Sequence, residues 1–179
     1  MKIRNSIASL GEIMQLAFVP PDFDAAVERW TKTMGVGPFF LMEGIHLEGM
    51  RYKGSPTDAH FDLALAYWGD LQVELIRPRD AHPSIYIGPY ADGLKGGLHH
   101  VCLLIEDIDD AYAACEAQRA EVLIEGSLGQ SRVIYADPGG GPGSVVEMLQ
   151  PSPDSPDLFA MIKQAGADWD GRDPLRKLG

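Results

Sequence analysis

Two stretches of the chain share one pattern of apolar and polar positions. Residues 15–26 and 97–111 each run from an apolar strand through an acidic segment into the start of a helix. When the two stretches are superposed, Asp22-Phe23-Asp24 falls on Asp107-Ile108-Asp109. A carboxylate at such a place caps a helix, because it accepts hydrogen bonds from the free backbone N–H groups of the first turn. The pattern therefore predicts a strand followed by a capped helix, and it predicts this unit twice.

A second pair of matching stretches closes each repeat with a strand. Residues 73–78, Val-Glu-Leu-Ile-Arg-Pro, resemble residues 146–151, Val-Glu-Met-Leu-Gln-Pro. Between these landmarks apolar and polar residues alternate, most clearly over 59–68, and a period of two is typical of strands. The sequence therefore predicts an α+β fold built of two paired βαβββ modules, at residues 11–78 and 97–151.

The segments outside the modules have a different character. Residues 79–96 are rich in proline, glycine and tyrosine, and they are predicted to form a linker. Residues 152–179 are predicted to be a C-terminal tail with a short helix over 157–165 and a loosely held end. Residues 1–10 show no pattern, and no apolar segment typical of a secretory signal follows them. The whole chain is expected to form a single domain.

Composition narrows the class of partner. Of the 179 residues, 45% are hydrophobic, which is enough to bury a sizeable core. A net charge of -11 disfavours nucleic acid and anionic membrane as partners. No apolar run approaches the roughly eighteen residues of a membrane span, and Cys102 and Cys115 do not form a Cys-x-x-Cys metal motif. We therefore expect a cytoplasmic protein that acts on a small molecule.

Four residues stand at matching positions of the two repeats. Gln15 and His100 lie in the opening strands, and Glu74 and Glu147 lie in the closing strands. A pseudo-twofold relation between the repeats would bring these side chains together on the concave side of a sheet. Two buried carboxylates cost roughly several kcal/mol each unless they are paired. A divalent metal is one answer to that cost, and three oxygen donors with one nitrogen donor suit Zn, Ni, Co or Mn.

Several short motifs follow one another in a specific order and spacing. They are Val36-Gly37-Pro38-Phe39, Leu98-His99-His100-Val101, Asp107-Ile108-Asp109, Asp137-Pro138 and Val146-Glu147. Over roughly residues 11–151 the chain thereby resembles the vicinal oxygen chelate superfamily. That superfamily includes glyoxalase I, methylmalonyl-CoA epimerase, extradiol dioxygenases and the bleomycin and fosfomycin resistance proteins. The resemblance implies a half-open barrel around one metal, with ligand positions at Gln15, Glu74, His100 and Glu147.

The ligand identities narrow the class within that superfamily. Its extradiol dioxygenases use iron held by two histidines and a carboxylate, whereas Gln15 leaves only one histidine here. The ligand set instead matches some glyoxalase I enzymes, although the basic residues with which they bind glutathione are not found. Residues 36–39 are closer to epimerase-like members. The chain thus resembles a glyoxalase-like or methylmalonyl-CoA-epimerase-like member.

The resemblance implies a metal-dependent lyase, isomerase or epimerase. Its substrate would be a 2-hydroxy ketone, hemithioacetal or acyl thioester, whose two neighbouring oxygens chelate the metal while a glutamate moves the proton beside the carbonyl. Glu147 is the first candidate for this catalytic base, and Glu74 is the second. The alternatives are a ligand-sequestering protein, like the bleomycin resistance members, and lastly an extradiol dioxygenase.

Four further residues are candidates for contact with the substrate. His60 and Asp62 share one face of a predicted strand, Arg51 would pair with an anionic substrate, and Tyr135 would line the pocket. Each also has a structural interpretation, namely a solvated strand face, a surface arginine and a packed tyrosine. The expected assembly is a homodimer.

Overall fold

Strands from both repeats join in one mixed sheet that curves around a cleft. The structure is a computed structural model that describes residues 6–178. Residues 1–5, for which the sequence shows no pattern, and residue 179 at the end of the predicted tail lie outside the described residues. In chain order the strands are β1 (Ile13–Phe18), β2 (Phe39–Ile45), β3 (Glu48–Tyr52), β4 (Ser55–Pro56), β5 (Phe61–Trp68), β6 (Leu71–Pro78), β7 (Leu98–Leu104), β8 (Glu121–Leu128), β9 (Ser131–Asp137), β10 (Val145–Gln150) and β11 (Leu175–Lys177).

The first two helices begin inside the two acidic segments. They are α1 (Phe23–Glu28), which continues in a wider turn over Arg29–Thr33, α2 (Ile108–Gln118) and α3 (Ser155–Ala167). The side chain of Asp22 accepts a hydrogen bond from the N–H of Ala25, and that of Asp107 accepts one from the N–H of Asp109, both at 2.9 Å. The two predicted helix caps are therefore confirmed. No helix in the described part of the chain is long and apolar enough to cross a membrane.

The strand order shows the internal repeat. The first repeat contributes β2-β5-β6-β1 and the second contributes β8-β9-β10-β7, and the halves meet where β1 pairs antiparallel with β7. In each half the opening and closing strands are parallel, since β1 pairs with β6 and β7 pairs with β10. The remaining neighbours within each half are antiparallel. The predicted α+β class is confirmed.

Chain connectivity forces the sheet to curve. β2 lies near one end of the strand order and β3 lies near the other, yet only His46 and Leu47 connect them. A connection of that length spans at most about 11 Å, so the two ends of the sheet must approach each other. The result is a half-open barrel, in which the open sheet encloses the cleft on its concave side.

The C-terminal segment is ordered and extends the same sheet. α3 has 13 residues and buries Ile162 against Phe40 and Leu65, so it is longer than the predicted short helix. β11 pairs in parallel with β2. The expectation of a loosely held end is therefore wrong. β11 pairs with the backbone groups of β2 that would otherwise be exposed at the edge of the sheet.

The segment between the repeats also belongs to the core. Residues 79–96 contain two short 3-10 turns, at Gly88–Tyr90 and Asp92–Leu94. Ahead of these turns, Ile85 and Tyr86 are almost fully buried and pack with residues of both repeats. The connection thus contributes side chains to the interior of the barrel.

Candidate metal centre

Helix packing on the convex side of the sheet turns two glutamates toward the concave side. Val73 and Leu75 pack in the same apolar cluster as α1, and Glu74 between them therefore points the other way. Met148 packs in the cluster of α2, and the preceding Glu147 points away from that helix for the same reason. The apolar neighbours of each glutamate thus position it in the cleft.

Strand register brings His100 to the same place. Ala17 of β1 lies opposite Glu74 of β6 on one side and opposite His100 of β7 on the other. Glu147 of β10 lies opposite Cys102, which is two positions beyond His100 and on the same face of β7. The small side chain of Ala17 leaves space above it into which the larger side chains extend.

The three side chains form a buried cluster of possible metal ligands. Nε2 of His100 lies 3.1 Å from Oε2 of Glu147 and 3.6 Å from Oε2 of Glu74. One ligand atom from each residue lies within 4.8 Å of the other two. His100 is fully buried and both glutamates are 6% exposed, so the cluster is largely withdrawn from water.

A chain of hydrogen bonds determines which nitrogen of His100 faces the glutamates. Nε2 of His99 lies 2.9 Å from the carbonyl oxygen of Ile85, which only accepts, so this nitrogen donates. Burial, and after it the neighbouring His100, lowers the pKa of His99 to about 3, so its ring is neutral and its Nδ1 accepts. Nδ1 of His100 lies 2.9 Å from that atom and donates to it. In a neutral His100, Nε2 therefore carries a lone pair toward the two carboxylates.

Gln15 is oriented in a similar way. Its Nε2 donates to Oε1 of Gln72 at 2.6 Å, and Gln72 donates to the hydroxyl of Tyr67 at 3.3 Å. Oε1 of Gln15 is buried, lies in the wall of the cleft, and has no hydrogen-bond partner among residues 6–178. Oε2 of Glu74 has none there either. Buried polar atoms without a partner are rare and costly, so these two call for a ligand.

The convergence of acceptors without donors fits a cation. A proton on Glu74 would satisfy some of these acceptors. Burial, and then the negative charge of Glu147, raise the pKa of Glu74 well above its ordinary value. A divalent metal would instead satisfy the imidazole nitrogen and the oxygens of Gln15, Glu74 and Glu147 together. One nitrogen with carboxylate and amide oxygens suits Zn, Ni, Co or Mn, the metals expected from the sequence.

Of the four predicted substrate contacts, the structure brings Tyr135 to the cluster. Its ring centroid lies 5.1 Å from that of His100, with the ring planes at 86°, and it lines the cleft. Burial, followed by the charge of Glu147, raises the pKa of Tyr135 well above its ordinary value. The hydroxyl therefore stays protonated.

Asp62 lies on the opposite face of the sheet. Phe61 and Leu63 line the cleft, so alternation along β5 turns Asp62 toward the convex side. There it accepts hydrogen bonds from Arg77 at 2.6 and 2.9 Å and from Arg79 at 3.0 and 3.1 Å. This placement corrects the expectation that Asp62 faces the substrate.

His60 and Arg51 lie at the surface, away from the cleft walls. Nδ1 of His60 lies 2.9 Å from the carbonyl oxygen of Asp58, and its ring stacks on His46 with centroids 4.8 Å apart. His46, Asp58 and His60 form a second, more exposed group of possible metal ligands. Arg51 donates to the carbonyl oxygen of Gly54 at 2.8 Å. Neither predicted residue is therefore placed to contact a substrate at the buried cluster.

Sequence reasoning missed the residues that support the cluster from behind. Gln72 carries a signal, because it shares a face with Glu74 and is an amide inside an apolar strand. His99 carries little signal, since neighbours in a strand point to opposite faces, yet the two rings meet. The part of α3 over the cleft was also missed, although Leu158, Phe159 and Ile162 have the spacing of one helix face.

The sequence is similar to a known protein family over more than half of its length. The sequence model of the Glyoxalase/Bleomycin resistance protein/Dioxygenase superfamily matches residues 14–135. Among curated proteins, none matches the chain.

Solved structures with a similar fold include two methylmalonyl-CoA epimerases. The enzyme from Mycobacterium tuberculosis is 17% identical, with a TM-score of 0.54, and the match covers 89% of this chain and 97% of that one. A variant of the Streptomyces coelicolor enzyme, in complex with 2-nitronate-propionyl-CoA, is 22% identical with a TM-score of 0.52, covering 80% and 96%. A hypothetical protein from Bacillus halodurans is 10% identical with a TM-score of 0.53, covering 79% and 95%. At these identities the likeness is one of fold.

Proposed function

Because the chain belongs to the Glyoxalase/Bleomycin resistance protein/Dioxygenase superfamily, we propose that it is a metal-dependent enzyme of the epimerase, isomerase or lyase type. The reaction is a redox-neutral proton transfer beside a carbonyl, in a small substrate with two vicinal oxygens. The observation that carries the proposal is the convergence of buried acceptors, with Nε2 of His100 at 3.1 and 3.6 Å from carboxylate oxygens of Glu147 and Glu74. Similarity in fold to methylmalonyl-CoA epimerases supports it.

The metal ligands in this proposal are Gln15, Glu74, His100 and Glu147. When bound, a divalent metal acidifies the C–H beside a carbonyl and stabilises the negative charge that develops on oxygen. The chain's own contribution is to hold the ligand atoms with their lone pairs inward. His99 does this for His100, and Gln72 does it for Gln15.

Glu147 is the proposed catalytic base, and Glu74 is the second candidate. The two carboxylates come from β10 and β6, on either side of the central pair β1 and β7. One carboxylate can therefore remove the proton while the other returns it, which an epimerisation requires. Tyr135, beside the cluster, is placed to donate a hydrogen bond to a substrate oxygen.

A ligand-sequestering protein is the second candidate function. The observation that favours it is the apolar lining of the cleft, to which strands of both repeats and α3 contribute. Such a protein would bind its ligand without a metal and without exchanging a proton. A dioxygenase is not proposed, because the cluster contains one histidine. We also propose that the protein forms a homodimer. Light scattering, which gives the molar mass in solution, tests this.

Deuterium exchange tests the enzyme directly. Candidate 2-hydroxy ketones and acyl thioesters are incubated with metal-loaded protein in D₂O, and label uptake beside the carbonyl is followed by NMR. Glu147→Gln should keep part of the bound metal and of the substrate affinity, but exchange should fall about 10²–10⁴-fold, the usual effect of removing a general base. Glu106→Gln, at an exposed position outside the cleft, is the matched control and should exchange normally.

Metal content separates the two candidate functions. Protein purified without chelator is analysed by mass spectrometry of its metals, together with His100→Ala and Glu74→Ala. Loss of metal in both variants supports the ligand set, and unchanged occupancy in both refutes it. Full exchange in Glu147→Gln, or oxygen consumption with an aromatic diol, would refute the proposed reaction. Tight ligand binding with neither metal nor exchange would favour sequestration.

A further inference from the structure

Away from the cluster, the wall of the cleft is mostly apolar. Side chains of β1, β2, β5, β6, β8, β9, β10 and α3 line it, and the cavity has a volume of about 150 Å³. The apolar residues nearest its mouth are only partly buried or exposed. They include Met42, Ile45, Leu63, Leu128, Leu149 and Phe159. A concave apolar surface of this kind that ends at a few convergent polar groups is typical of a small-molecule site.

The charges in the cleft are those of the cluster alone. Within residues 6–178, no lysine or arginine lines the cavity, and its only ionisable carboxylates are Glu74 and Glu147. Together with a divalent metal these two carboxylates make a site of no net charge. A negatively charged group held inside the cavity would therefore lack a partner, at a considerable cost in binding.

The wall contributed by α3 is held at both ends. Three residues before its start, the N–H of Ser152 donates to Oγ of Ser131 on β9 at 2.9 Å. In its second half, Ile162 is buried, and Nζ of Lys163 donates to a carboxylate oxygen of Asp70 at 2.6 Å. The segment between these anchors carries Leu158 and Phe159 over the cavity. Because α3 is fixed in this way, it limits the size of the group that the cavity accepts.

The volume of the cavity indicates the size of that group. A cavity of about 150 Å³ lined by leucine, isoleucine and phenylalanine side chains holds a benzene molecule in a well-studied engineered protein. The volume here is similar, but it includes the polar end formed by Gln15, Gln72, Glu74 and Glu147, so only part of it is left for an apolar group. A short alkyl chain therefore fits beside the cluster.

We infer that the substrate carries, next to its two vicinal oxygens, a short uncharged apolar tail that occupies the cleft. This inference rests on the proposed function for the oxygens, but the tail is inferred from the cavity alone. The tail lies between β5 and α3, while the oxygens lie at the cluster.

Calorimetry with a homologous series tests the inference. The probes are hydroxyacetone and its butyl and hexyl homologues, each titrated into metal-loaded and metal-free protein, with matched compounds whose tails end in a carboxylate. Each methylene that enters the cavity should tighten binding about fourfold, until the cavity is filled. The carboxylate-ended compounds should bind at least about tenfold more weakly than their neutral matches.

Single-residue variants test whether the dependence of affinity on the tail arises in the cavity. Phe159→Ala should reduce the gain per methylene, because it removes part of the wall. Leu128→Lys places a cation at the mouth, where the leucine is 45% exposed, and it should improve binding of the carboxylate-ended compounds relative to the neutral ones. Met161→Ala is the matched control on α3, since Met161 is 41% exposed and lies outside the cavity. Thermal unfolding confirms that each variant is folded.

The outcomes separate this inference from the proposed function. Affinity that does not depend on tail length, or carboxylate-ended probes that bind as tightly as neutral ones, would overturn the inference even if deuterium exchange is observed. A dependence on tail length that is reduced in Phe159→Ala supports the inference even if no exchange occurs, in which case only the proposed reaction fails.

Discussion

At the scale of single residues, the candidate site depends on side chains that orient other side chains. His99 supplies no ligand atom, yet its two hydrogen bonds, to Ile85 and to His100, turn Nε2 of His100 toward the two carboxylates. Gln72 does the same for the oxygen of Gln15. Partners of this kind typically contribute about 10–100-fold to metal affinity, because they fix the tautomer and orientation of the ligand.

Replacement of His99 should therefore weaken metal binding without removing a ligand. We expect His99→Leu to lower the affinity for Zn²⁺ or Mn²⁺ by about 10–100-fold, measured by competition with a chelator. The ¹⁵N shifts of His100 should also show a mixture of tautomers in the metal-free variant. His99→Asn, which keeps an acceptor near the position of Nδ1, should restore part of the affinity. His82→Leu, at an exposed surface histidine, is the control. Equal affinities in His99→Leu and wild type would contradict the role of the hydrogen-bond chain.

Asp62 should matter for stability at acid pH and not for catalysis. Burial raises the pKa of this carboxyl, but the N–H of Gly44 and the guanidinium groups of Arg77 and Arg79 lower it by more, to below its ordinary value of 3.8. A lowered pKa in the folded state stabilises the fold above the unfolded-state pKa, and this contribution is lost as the pH falls through the folded-state pKa.

We expect Asp62→Asn to lower the free energy of unfolding by about 2–3 kcal/mol at neutral pH, because hydrogen bonds between charged groups are lost. The difference from wild type should begin to shrink as the pH falls below about 4 and disappear once the pH has passed through the lowered folded-state pKa. Chemical denaturation across the pH range measures this, with Glu116→Gln on the exposed face of α2 as control. A large change in substrate affinity with unchanged stability would instead return Asp62 to the binding site.

At the scale of elements, α3 and β11 show how a segment without strong periodicity completes the fold. β11 covers the edge of β2, and α3 packs on the face of β5 that also lines the cleft. The fully buried Ile162 lies between Phe40 and Leu65 and is the main apolar anchor of the helix. The wall of the cavity therefore depends on this contact, and Leu65 also lies opposite Glu74 in the pairing of β5 with β6.

Truncation of this anchor should destabilise the fold. Ile162→Ala should cost about 2–4 kcal/mol of unfolding free energy, because it leaves a cavity between two strands and a helix. The exposed neighbour Met161→Ala should cost no more than about 0.5 kcal/mol. Urea titration measures both. If Ile162→Ala were as stable as Met161→Ala, the packing of α3 on the sheet would not be the stable contact described.

At the scale of the whole molecule, the features that could be predicted from the sequence are those that a local pattern of residues determines. The two helix caps and the glutamates between apolar neighbours repeat, so their elements were predictable from one sequence. Alternation along β5 defines two faces but not which face is inside, and for that reason Asp62 was placed on the wrong one. The pairing of β11 with β2 joins residues far apart in sequence, and nothing local encodes it. His99 and Gln72 act through contacts that only the assembled sheet creates.

The pseudo-twofold arrangement leads to a last prediction, that the metal joins the two halves. Glu74 belongs to the first repeat, whereas His100 and Glu147 belong to the second, so one ion would bridge the interface of β1 and β7. A ligand that binds only the folded state stabilises it by about 4 kcal/mol at a thousand times its dissociation constant. Chelation should therefore lower the melting temperature in one cooperative transition, and added Zn²⁺ or Mn²⁺ should restore it. In His100→Ala and Glu74→Ala the melting temperature should not respond to metal, while the surface variant His60→Ala should behave as wild type. A response in His100→Ala that is abolished by His60→Ala would move the metal to the surface group of His46, Asp58 and His60.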